Sequence, residues 1–246
     1  MVKSSNCRQS GCIPAGTMPL RDLAYLTLLL LLCASPARAE TPACGGDGAL
    51  PPGCGNIVFD GDSISAGAGA TAAQHPDVLF LKALDRPSRL ANVAVSGRPV
   101  GDCLSLFPIA VAPKFLSGVR FNLIVFHAGD NDIARGSDDA AAYAAFTAYV
   151  AAAHRQGWTV IVSTELPHPD FSPTREQYLD DYNRRLLANQ AGADAVVDLS
   201  QVPRLNDVAA REASGWYAPD HVHLNGDGYA VLARLLAGAA RKLLAP

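Results

Sequence analysis

Residues 57–67 read IVFDGDSISAG, and this stretch decides the fold. Its three apolar residues are typical of the end of a buried strand, an Asp-Gly-Asp-Ser turn follows, and a helix can begin at Ser63. Open α/β folds bind ligands at the carboxyl ends of their strands, and the first turn of a helix offers free N–H groups to an anion. The stretch therefore predicts a strand, a turn and a helix, with a serine suited to be a nucleophile at the turn.

The rest of the chain alternates between short apolar runs and helical patterns. The predicted strands are residues 56–60, 90–95, 121–128, 158–164 and 195–199. The predicted helices are residues 76–84, 102–115, 138–156, 174–190, 203–213 and 226–244. Apolar strands that alternate with helices form a parallel sheet covered on both faces. The sequence thus predicts an α/β fold, a three-layer α/β/α sandwich with a five-stranded, mainly parallel sheet.

Two helix starts carry recognisable capping residues. Ser137 or Asp138 is predicted to cap the helix over 138–156, because short polar side chains are favoured at that position. Thr174 is followed three residues later by Gln177, which is a capping-box pattern. We therefore expect Thr174 to cap the next helix.

The first 39 residues are predicted to be a signal peptide. Arg21 precedes a short apolar run, residues 23–33, and an Ala-x-Ala site ends at Ala39. Met18 is an alternative start, and an uncleaved membrane anchor is the alternative to cleavage. Residues 40–55 form a Pro/Gly-rich N-terminal segment, and residues 56–246 form one domain. The predicted protein is exported, periplasmic or extracellular, with no stable membrane insertion after cleavage.

Charge and cysteine usage narrow the partners further. A net charge of −3 over 246 residues gives little attraction to nucleic acid, and no basic run with aromatics appears, so no nucleic-acid partner is predicted. Cys44, Cys54 and Cys103 remain after cleavage. In an oxidising compartment either Cys44–Cys54 or Cys54–Cys103 can pair. None of them has metal-ligand spacing.

Polar residues mark the ends of the predicted strands. Gly97 and Asn131 follow the second and third strands, and Asp220 and His223 precede the last helix. A serine nucleophile needs a base, and the base needs a carboxylate that orients it. Asp220 and His223 supply both within four residues. The N–H groups of Ser63 and Gly97 and the Asn131 amide can stabilise an oxyanion.

Four short blocks occur in order along the chain: Gly61-Asp62-Ser63, Asn92–Gly97, Gly129–Asp132 and Asp220-x-x-His223. Together they resemble the SGNH hydrolases, also called the GDSL family. The resemblance implies a serine esterase or lipase with catalytic Ser63, Asp220 and His223, and oxyanion donors at Ser63, Gly97 and Asn131. It implies neither a cofactor nor a metal.

The expected substrate is a small ester or an acylated glycan or lipid. Short-chain acyl esters are favoured, with O-acetyl groups on carbohydrate as one form, and a lysophospholipase or thioesterase-type lipid ester is the alternative. Trp216 and Tyr217, a few residues before Asp220, either contact a substrate or pack at the rim of the site.

Other interpretations of these residues stay open. Ser63 can be only the N-cap of its helix. In a metal-dependent phosphatase Asp60 would attack phosphorus, Asp62 would be the acid or base, and Mg²⁺ would be required. The segment Asp220–His223, which includes His221, can be a metal cluster. The chain can also be a non-catalytic glycan-binding module.

The remaining histidines and aspartates are predicted to have structural roles. Asp62 and Asp132 are expected to shape turns or cap helices. His127, inside an apolar strand, is expected to be a core histidine with its polar atoms satisfied. Solvated positions are expected for His75, His154 and His168.

Overall fold

The computed structural model describes Cys44, residues 53–206 and residues 215–245. The predicted signal peptide over 1–39, the alternative start at Met18, most of the 40–55 segment and residues 207–213 of a predicted helix lie outside the described residues, so those interpretations stay predictions. Within the described part, no helix has both the length and the apolar character needed to cross a membrane.

Five strands form one parallel sheet in the order β2-β1-β3-β4-β5. The predicted five-stranded sheet is therefore confirmed. Strand order reverses between β1 and β3, and α/β folds bind ligands outside the carboxyl ends of strands at such a point. The strands are β1 (Gly55–Gly61), β2 (Ser88–Asn92), β3 (Asn122–His127), β4 (Thr159–Ser163) and β5 (Ala195–Val197).

Helices follow the strands and cover both faces of the sheet. The short helices α1 and α4 begin directly behind the carboxyl ends of β1 and β3. The helices of the described residues are α1 (Ser63–Ala66), α2 (Pro76–Leu84), α3 (Val100–Ala110), α4 (Asp130–Ala134), α5 (Asp139–Gln156), α6 (Pro173–Ala188), α7 (Pro203–Asn206) and α8 (Gly226–Leu243).

Two separate hydrophobic cores result, because successive side chains of a strand point to opposite faces. On one face Val58 and Ile124 pack with residues of α3, α5 and α6. On the other face Ile57 and Leu123 pack with residues of α2 and α8. All four strand residues are fully buried. This confirms the three-layer arrangement.

The start of α6 differs from its prediction. Ser172, and not Thr174, is the cap, since its Oγ accepts the N–H of Arg175. Pro173 then occupies the first helical position, where its missing N–H and fixed φ cost nothing. The Thr174 capping box is therefore wrong. The cap of α5 is Asp138, whose carboxylate accepts the N–H of Ala141 at 2.8 Å, as one of the two predictions had it.

β2 and α3 also differ from their predicted bounds. β2 begins two residues before its predicted start and ends at Asn92. The chain beyond it still runs beside β1. Val93 donates its N–H to the Phe59 carbonyl at 2.8 Å, and Val95 donates to the Gly61 carbonyl at 3.1 Å. α3 ends at Ala110, and a 3₁₀ turn over Ala112–Lys114 follows it. Pro113 lies in that turn and cannot donate to a continuing helix.

Of the two predicted cysteine pairings, the structure contains Cys44–Cys54. The disulfide joins the N-terminal segment to the residue before β1. Cys103 is a free thiol, fully buried in α3. Burial raises the pKa of the Cys103 thiol far above its ordinary value, so the thiol stays protonated. The alternative pairing of Cys54 with Cys103 is wrong.

Candidate functional site

The turn after β1 is pressed against the end of β3. Gly61 adopts a φ of +128°, and a Cβ built on it would lie 2.0 Å from the carbonyl oxygen of His127. The N–H of Asp62 donates to that same oxygen at 3.0 Å. Only glycine combines this backbone conformation with so close an approach. Gly61 therefore fixes where Ser63 begins α1.

Asp62, and not Ser63, caps α1. Its Oδ1 accepts the N–H of Ile64 at 2.9 Å. The prediction that Asp62 is a capping residue is confirmed, and the alternative that Ser63 is only an N-cap is wrong. Ser63 is the first helical residue and is 7% exposed. The serine is thus held at the edge of the sheet by its neighbour.

Asp220 and His223 form a hydrogen-bonded pair. The Nδ1 of His223 lies 2.6 Å from the Oδ2 of Asp220, which can only accept, so Nδ1 carries the proton. The Oδ1 of Asp220 accepts the N–H groups of Val222 at 3.1 Å and His223 at 3.0 Å. The tight turn places His221 at a φ of +55°. With Nδ1 occupied, Nε2 is the nitrogen available to a substrate or a nucleophile.

Partial burial works to raise the pKa of Asp220, but hydrogen bonds outweigh it. The His223 ring contributes most, followed by the backbone N–H groups of His223 and Val222, and together they hold the pKa of Asp220 below its ordinary value. The carboxylate therefore stays ionised at neutral pH. This arrangement fixes the histidine tautomer and supports a positive charge on the ring.

The segment with this pair packs on the loop that follows Ser63. A Cβ built on Gly69 would lie 3.0 Å from the Cβ of His223. The N–H of Ala218 donates to the His223 carbonyl at 2.8 Å, and the hydroxyl of Tyr229 in α8 donates to the Ala68 carbonyl at 2.7 Å. Residues more than 150 positions apart in the sequence are thereby brought to the same edge of the sheet.

Gly97 and Asn131 reach that edge from β2 and β3. Gly97 adopts a φ of +77°, and its carbonyl accepts the Arg135 guanidinium at 2.7 Å. Asn131 lies in the first turn of α4, and its Nδ2 donates to the Oδ1 of Asp130 at 2.7 Å. Asp132 accepts the N–H of Val100 at 2.8 Å and so ties α4 to the start of α3. Asp132 therefore has the structural role that was predicted.

A buried ion pair anchors the loop that contains Gly97. The Nη1 of Arg98 donates to the Oδ1 of Asp60 at 3.0 Å and to the Val93 carbonyl at 3.1 Å. The Tyr149 hydroxyl donates to the Oδ2 of Asp60 at 2.7 Å, and the N–H of Gly61 donates to the Oδ1 at 2.8 Å. Burial raises the pKa of Asp60 despite these bonds. Asp60 is 1% exposed and fully engaged, which contradicts the phosphatase interpretation in which it attacks phosphorus.

Replacing Arg98 with methionine should lower the free energy of unfolding by about 3 kcal/mol, because Asp60 would keep a buried charge without its cation. Urea denaturation of both proteins measures the difference. Arg135→Met is the matched control, since its side chain is 61% exposed and its contacts with Asp102 and the Gly97 carbonyl are at the surface. We expect that change to stay within about 0.5 kcal/mol. Equal losses in the two variants would contradict the assigned role of the buried pair.

Sequence reasoning missed a buried group formed by Asp62, His127 and Glu165. One ligand-type atom from each lies within 4.8 Å of the others. The Nδ1 of His127 lies 2.7 Å from the Ser163 hydroxyl, and its Nε2 lies 3.1 Å from the Oε2 of Glu165 without hydrogen-bond geometry. His127 is buried at the end of β3 with 4% of its surface exposed, so the prediction of a core histidine is confirmed. The sequence did hold one indication of this group, because each of the three residues lies at or directly behind the end of a strand.

The metal cluster that the sequence allowed in the segment Asp220–His223 does not form. Within the described part of the chain, the group whose geometry suits an ion is the one at Asp62, His127 and Glu165. Asp220 and His223 bind each other instead.

Two of the histidines predicted at solvated positions have ring contacts. The Nε2 of His154 lies 2.9 Å from the Oδ2 of Asp194, and this carboxylate also accepts the N–H of Val160. The ring of His168 stacks on Phe171 with centroids 4.3 Å apart. His154 is exposed, as predicted, and its contact with Asp194 helps to connect α5 to the start of β5.

Residues 59–231 match the model of the GDSL-like lipase/acylhydrolase family. No curated protein sequence matches the chain. Among solved structures, a G-D-S-L family lipolytic protein from Veillonella parvula is 20% identical, with a TM-score of 0.61 over 76% of this chain and 97% of that one. An aryl esterase from M. smegmatis is 16% identical, with a TM-score of 0.58 over 76% of this chain and 99% of that one.

An acetylxylan esterase from Geobacillus stearothermophilus is also similar. It is 17% identical, with a TM-score of 0.54 over 78% of this chain and 94% of that one. At such identities the structural likeness shows the fold, whereas the family model spans most of the chain and all four sequence blocks. The chain therefore belongs to the GDSL-like lipase/acylhydrolase family and is a carboxylic ester hydrolase.

Proposed function

We propose that this hydrolase is an exported serine esterase that cleaves short-chain acyl esters through an acyl-enzyme. Ser63 is the nucleophile, His223 is the general base and Asp220 orients the histidine. The observation that carries this assignment is the 2.6 Å contact between Nδ1 of His223 and Oδ2 of Asp220, on a segment that packs on the loop after Ser63. It leaves Nε2 as the basic nitrogen, as a serine triad requires.

The reaction runs in two balanced steps. His223 takes the Ser63 hydroxyl proton while Oγ adds to the ester carbonyl, and the same proton passes to the leaving alcohol as the acyl-enzyme forms. A water molecule then gives its proton to His223 and adds to the acyl carbon. The carboxylic acid departs and Ser63 recovers its proton. Asp220 stays ionised throughout and stabilises the imidazolium form of His223.

The oxyanion of each tetrahedral intermediate is held by the N–H groups of Ser63 and Gly97 and by the amide of Asn131. The N–H of Val95 donates to the Gly61 carbonyl. This hydrogen bond supports the assignment, because it keeps the Gly97 loop beside the Ser63 turn. Asp130 engages Nδ2 of Asn131, and that nitrogen has a second N–H for the oxyanion. Donors held in place before the reaction need no reorganisation when charge develops.

The Cys44–Cys54 disulfide supports export, because disulfides persist in oxidising compartments such as the periplasm and the extracellular space. The predicted signal peptide over 1–39 is consistent with the same route. Edman sequencing of protein secreted from the full gene would identify the cleavage site. We expect the mature chain to begin after Ala39.

The proposed substrate is a short acyl ester, with an O-acetylated carbohydrate as one form. The similar acetylxylan esterase supports a small acyl group. Tyr217 packs into the protein, with its hydroxyl bonded to the Leu205 carbonyl, so it is not a sugar platform. Trp216 stacks under the Arg204 guanidinium at 4.0 Å. A lipid ester is the second candidate, because the apolar side chain of Val95 is 50% exposed beside the Gly97 loop.

Hydrolysis of 4-nitrophenyl esters by the purified mature chain tests this proposal. We expect the acetate and butyrate esters to be cleaved with higher kcat/KM than the decanoate ester. A reactive alkyl phosphonate should inactivate the enzyme with one label per chain, on the peptide that contains Ser63. Preference for the decanoate ester would support the lipid alternative. Hydrolysis with the label elsewhere would contradict the Ser63 assignment, and no hydrolysis of any ester would favour a glycan-binding module.

A further inference from the structure

Three buried side chains meet behind the strand ends next to Ser63. Asp62 follows β1, His127 ends β3 and Glu165 lies two residues beyond β4, and these three strands are neighbours in the sheet. The three residues are 0%, 4% and 2% exposed. One oxygen or nitrogen of each lies within 4.8 Å of the other two. The fold thus concentrates one imidazole and two carboxylates in an enclosed space.

Several atoms of this group lack hydrogen bonds. Among the described residues, neither Oδ2 of Asp62, Nε2 of His127 nor Oε1 of Glu165 has a hydrogen-bond partner. Buried polar atoms are nearly always partnered, because an unsatisfied one loses its hydration without compensation. Nε2 of His127 does lie 3.1 Å from Oε2 of Glu165, so these two side chains form a buried ion pair when the ring is protonated. This contact engages His127 and one oxygen of Glu165, and it leaves Oδ2 of Asp62 and Oε1 of Glu165 open to a further ligand.

The other atoms of the same side chains are already held. Oδ1 of Asp62 accepts the N–H of Ile64 at 2.9 Å, and Nδ1 of His127 lies 2.7 Å from the Ser163 hydroxyl. Asn183 accepts the backbone N–H of Glu165 at 2.7 Å and donates to its carbonyl at 3.1 Å. A histidine that binds a metal through one ring nitrogen commonly has the other nitrogen fixed by a hydrogen bond, as Ser163 fixes Nδ1 of His127. Each of the three side chains thus retains an oxygen or nitrogen atom that can bind a metal ion.

We propose that Asp62, His127 and Glu165 bind a divalent transition-metal ion, with zinc as the best-fitting class. Zinc binds imidazole nitrogen and carboxylate oxygen at about 2.0–2.2 Å, so two ligands at a tetrahedral angle stand about 3.4 Å apart. The 3.1 Å between Nε2 of His127 and Oε2 of Glu165 is close to that spacing.

The ion would tie together the carboxyl ends of β1, β3 and β4 behind the turn that presents Ser63. It takes no part in the ester hydrolysis, because its ligands are buried and the reacting groups are Ser63 and His223. Binding of this kind adds to folding stability, since the preformed site does not exist in the unfolded chain. The inference is therefore independent of the esterase assignment.

Zinc content and melting temperature of the mature chain test the site. The protein is purified from zinc-supplemented culture, and a second sample is unfolded with a chelator and refolded with or without zinc. We expect one equivalent of zinc by mass spectrometry of the digested protein. Refolding with zinc at about 100 times its Kd should raise Tm by roughly 5–10 °C over the zinc-free sample. A trace zinc content and equal Tm values would overturn the proposal.

Three variants locate the ion. His127→Gln and Glu165→Gln should lose the bound zinc and the Tm shift. Asp77→Asn should keep both, and it is the matched control because Asp77 is a buried carboxylate in α2 outside the group. Zinc retained by the first two variants would place it elsewhere, for example at His223 or His154, and overturn the assignment. Zinc lost from all three would overturn it as well. If either His127→Gln or Glu165→Gln does not fold, the zinc content of the other variant decides the site.

Discussion

Replacing Ser63 with alanine should lower kcat for 4-nitrophenyl acetate by roughly 10⁴–10⁶-fold, as in serine hydrolases that lose their nucleophile. The variant keeps the oxyanion donors at Gly97 and Asn131 and the Asp220–His223 pair, so it should still bind substrate. Because the acyl-enzyme cannot form, no burst of 4-nitrophenol should appear in the first turnover. Steady-state and stopped-flow assays measure both quantities.

Ser65→Ala is the matched control for this change. Ser65 is a second buried serine of α1, 3% exposed and two residues further on. We expect its kcat to remain within tenfold of the wild type. His223→Gln should be as inactive as Ser63→Ala, and the double variant should be no worse, because the two residues act as one unit. Activity of Ser63→Ala close to the wild-type level would refute the serine mechanism.

Replacing Gly61 with alanine should lower the free energy of unfolding by about 5 kcal/mol, at the upper end for a single substitution. The added Cβ would lie 2.0 Å from the oxygen and 2.8 Å from the carbon of the His127 carbonyl. Both are backbone atoms of β3, so no side chain can move aside. The φ of +128° adds strain for any residue with a Cβ. Urea denaturation followed by circular dichroism measures the loss.

Gly118→Ala separates the clash from the conformational strain. Gly118 also has a positive φ, +77°, but a Cβ there meets no described atom within 4 Å. Its replacement should cost only about 1 kcal/mol, the strain of alanine in the left-handed region. If Gly61→Ala cost no more than Gly118→Ala, the close contact between the β1 turn and β3 would be disproved.

Elements with a continuous apolar pattern could be predicted from the sequence. β3 and β4 are such runs, and their predicted ranges enclose the observed strands. β2 was harder, because its residues Ser88 and Arg89 look polar and become a strand only by pairing with β1. The cap of α6 was misplaced by two residues, since Ser172 and Thr174 are equally good caps locally and Pro173 decides between them.

The candidate site also has one part that the sequence predicts and one part that it does not. Asp220 and His223 are three residues apart, so their contact is local and could be expected. The role of Asp60 could not, because its partners Arg98 and Tyr149 are 38 and 89 positions away. Nothing in its sequence surroundings distinguishes a reactive aspartate from one locked in a buried ion pair.

The sequence by itself determined the layer architecture, the order of the strands along the chain and the four polar blocks that identify the family. These depend on periodicity and on residues close in sequence, which short-range physics controls. The tertiary structure alone decided which strands are neighbours, and with that the meeting of Asp62, His127 and Glu165 behind β1, β3 and β4. Such groups depend on strand pairing across the sheet, which a single sequence does not encode locally. The turn at residues 57–67 depends on both the sequence and the tertiary structure. Its sequence sets the bend, and the contact with His127 sets its position.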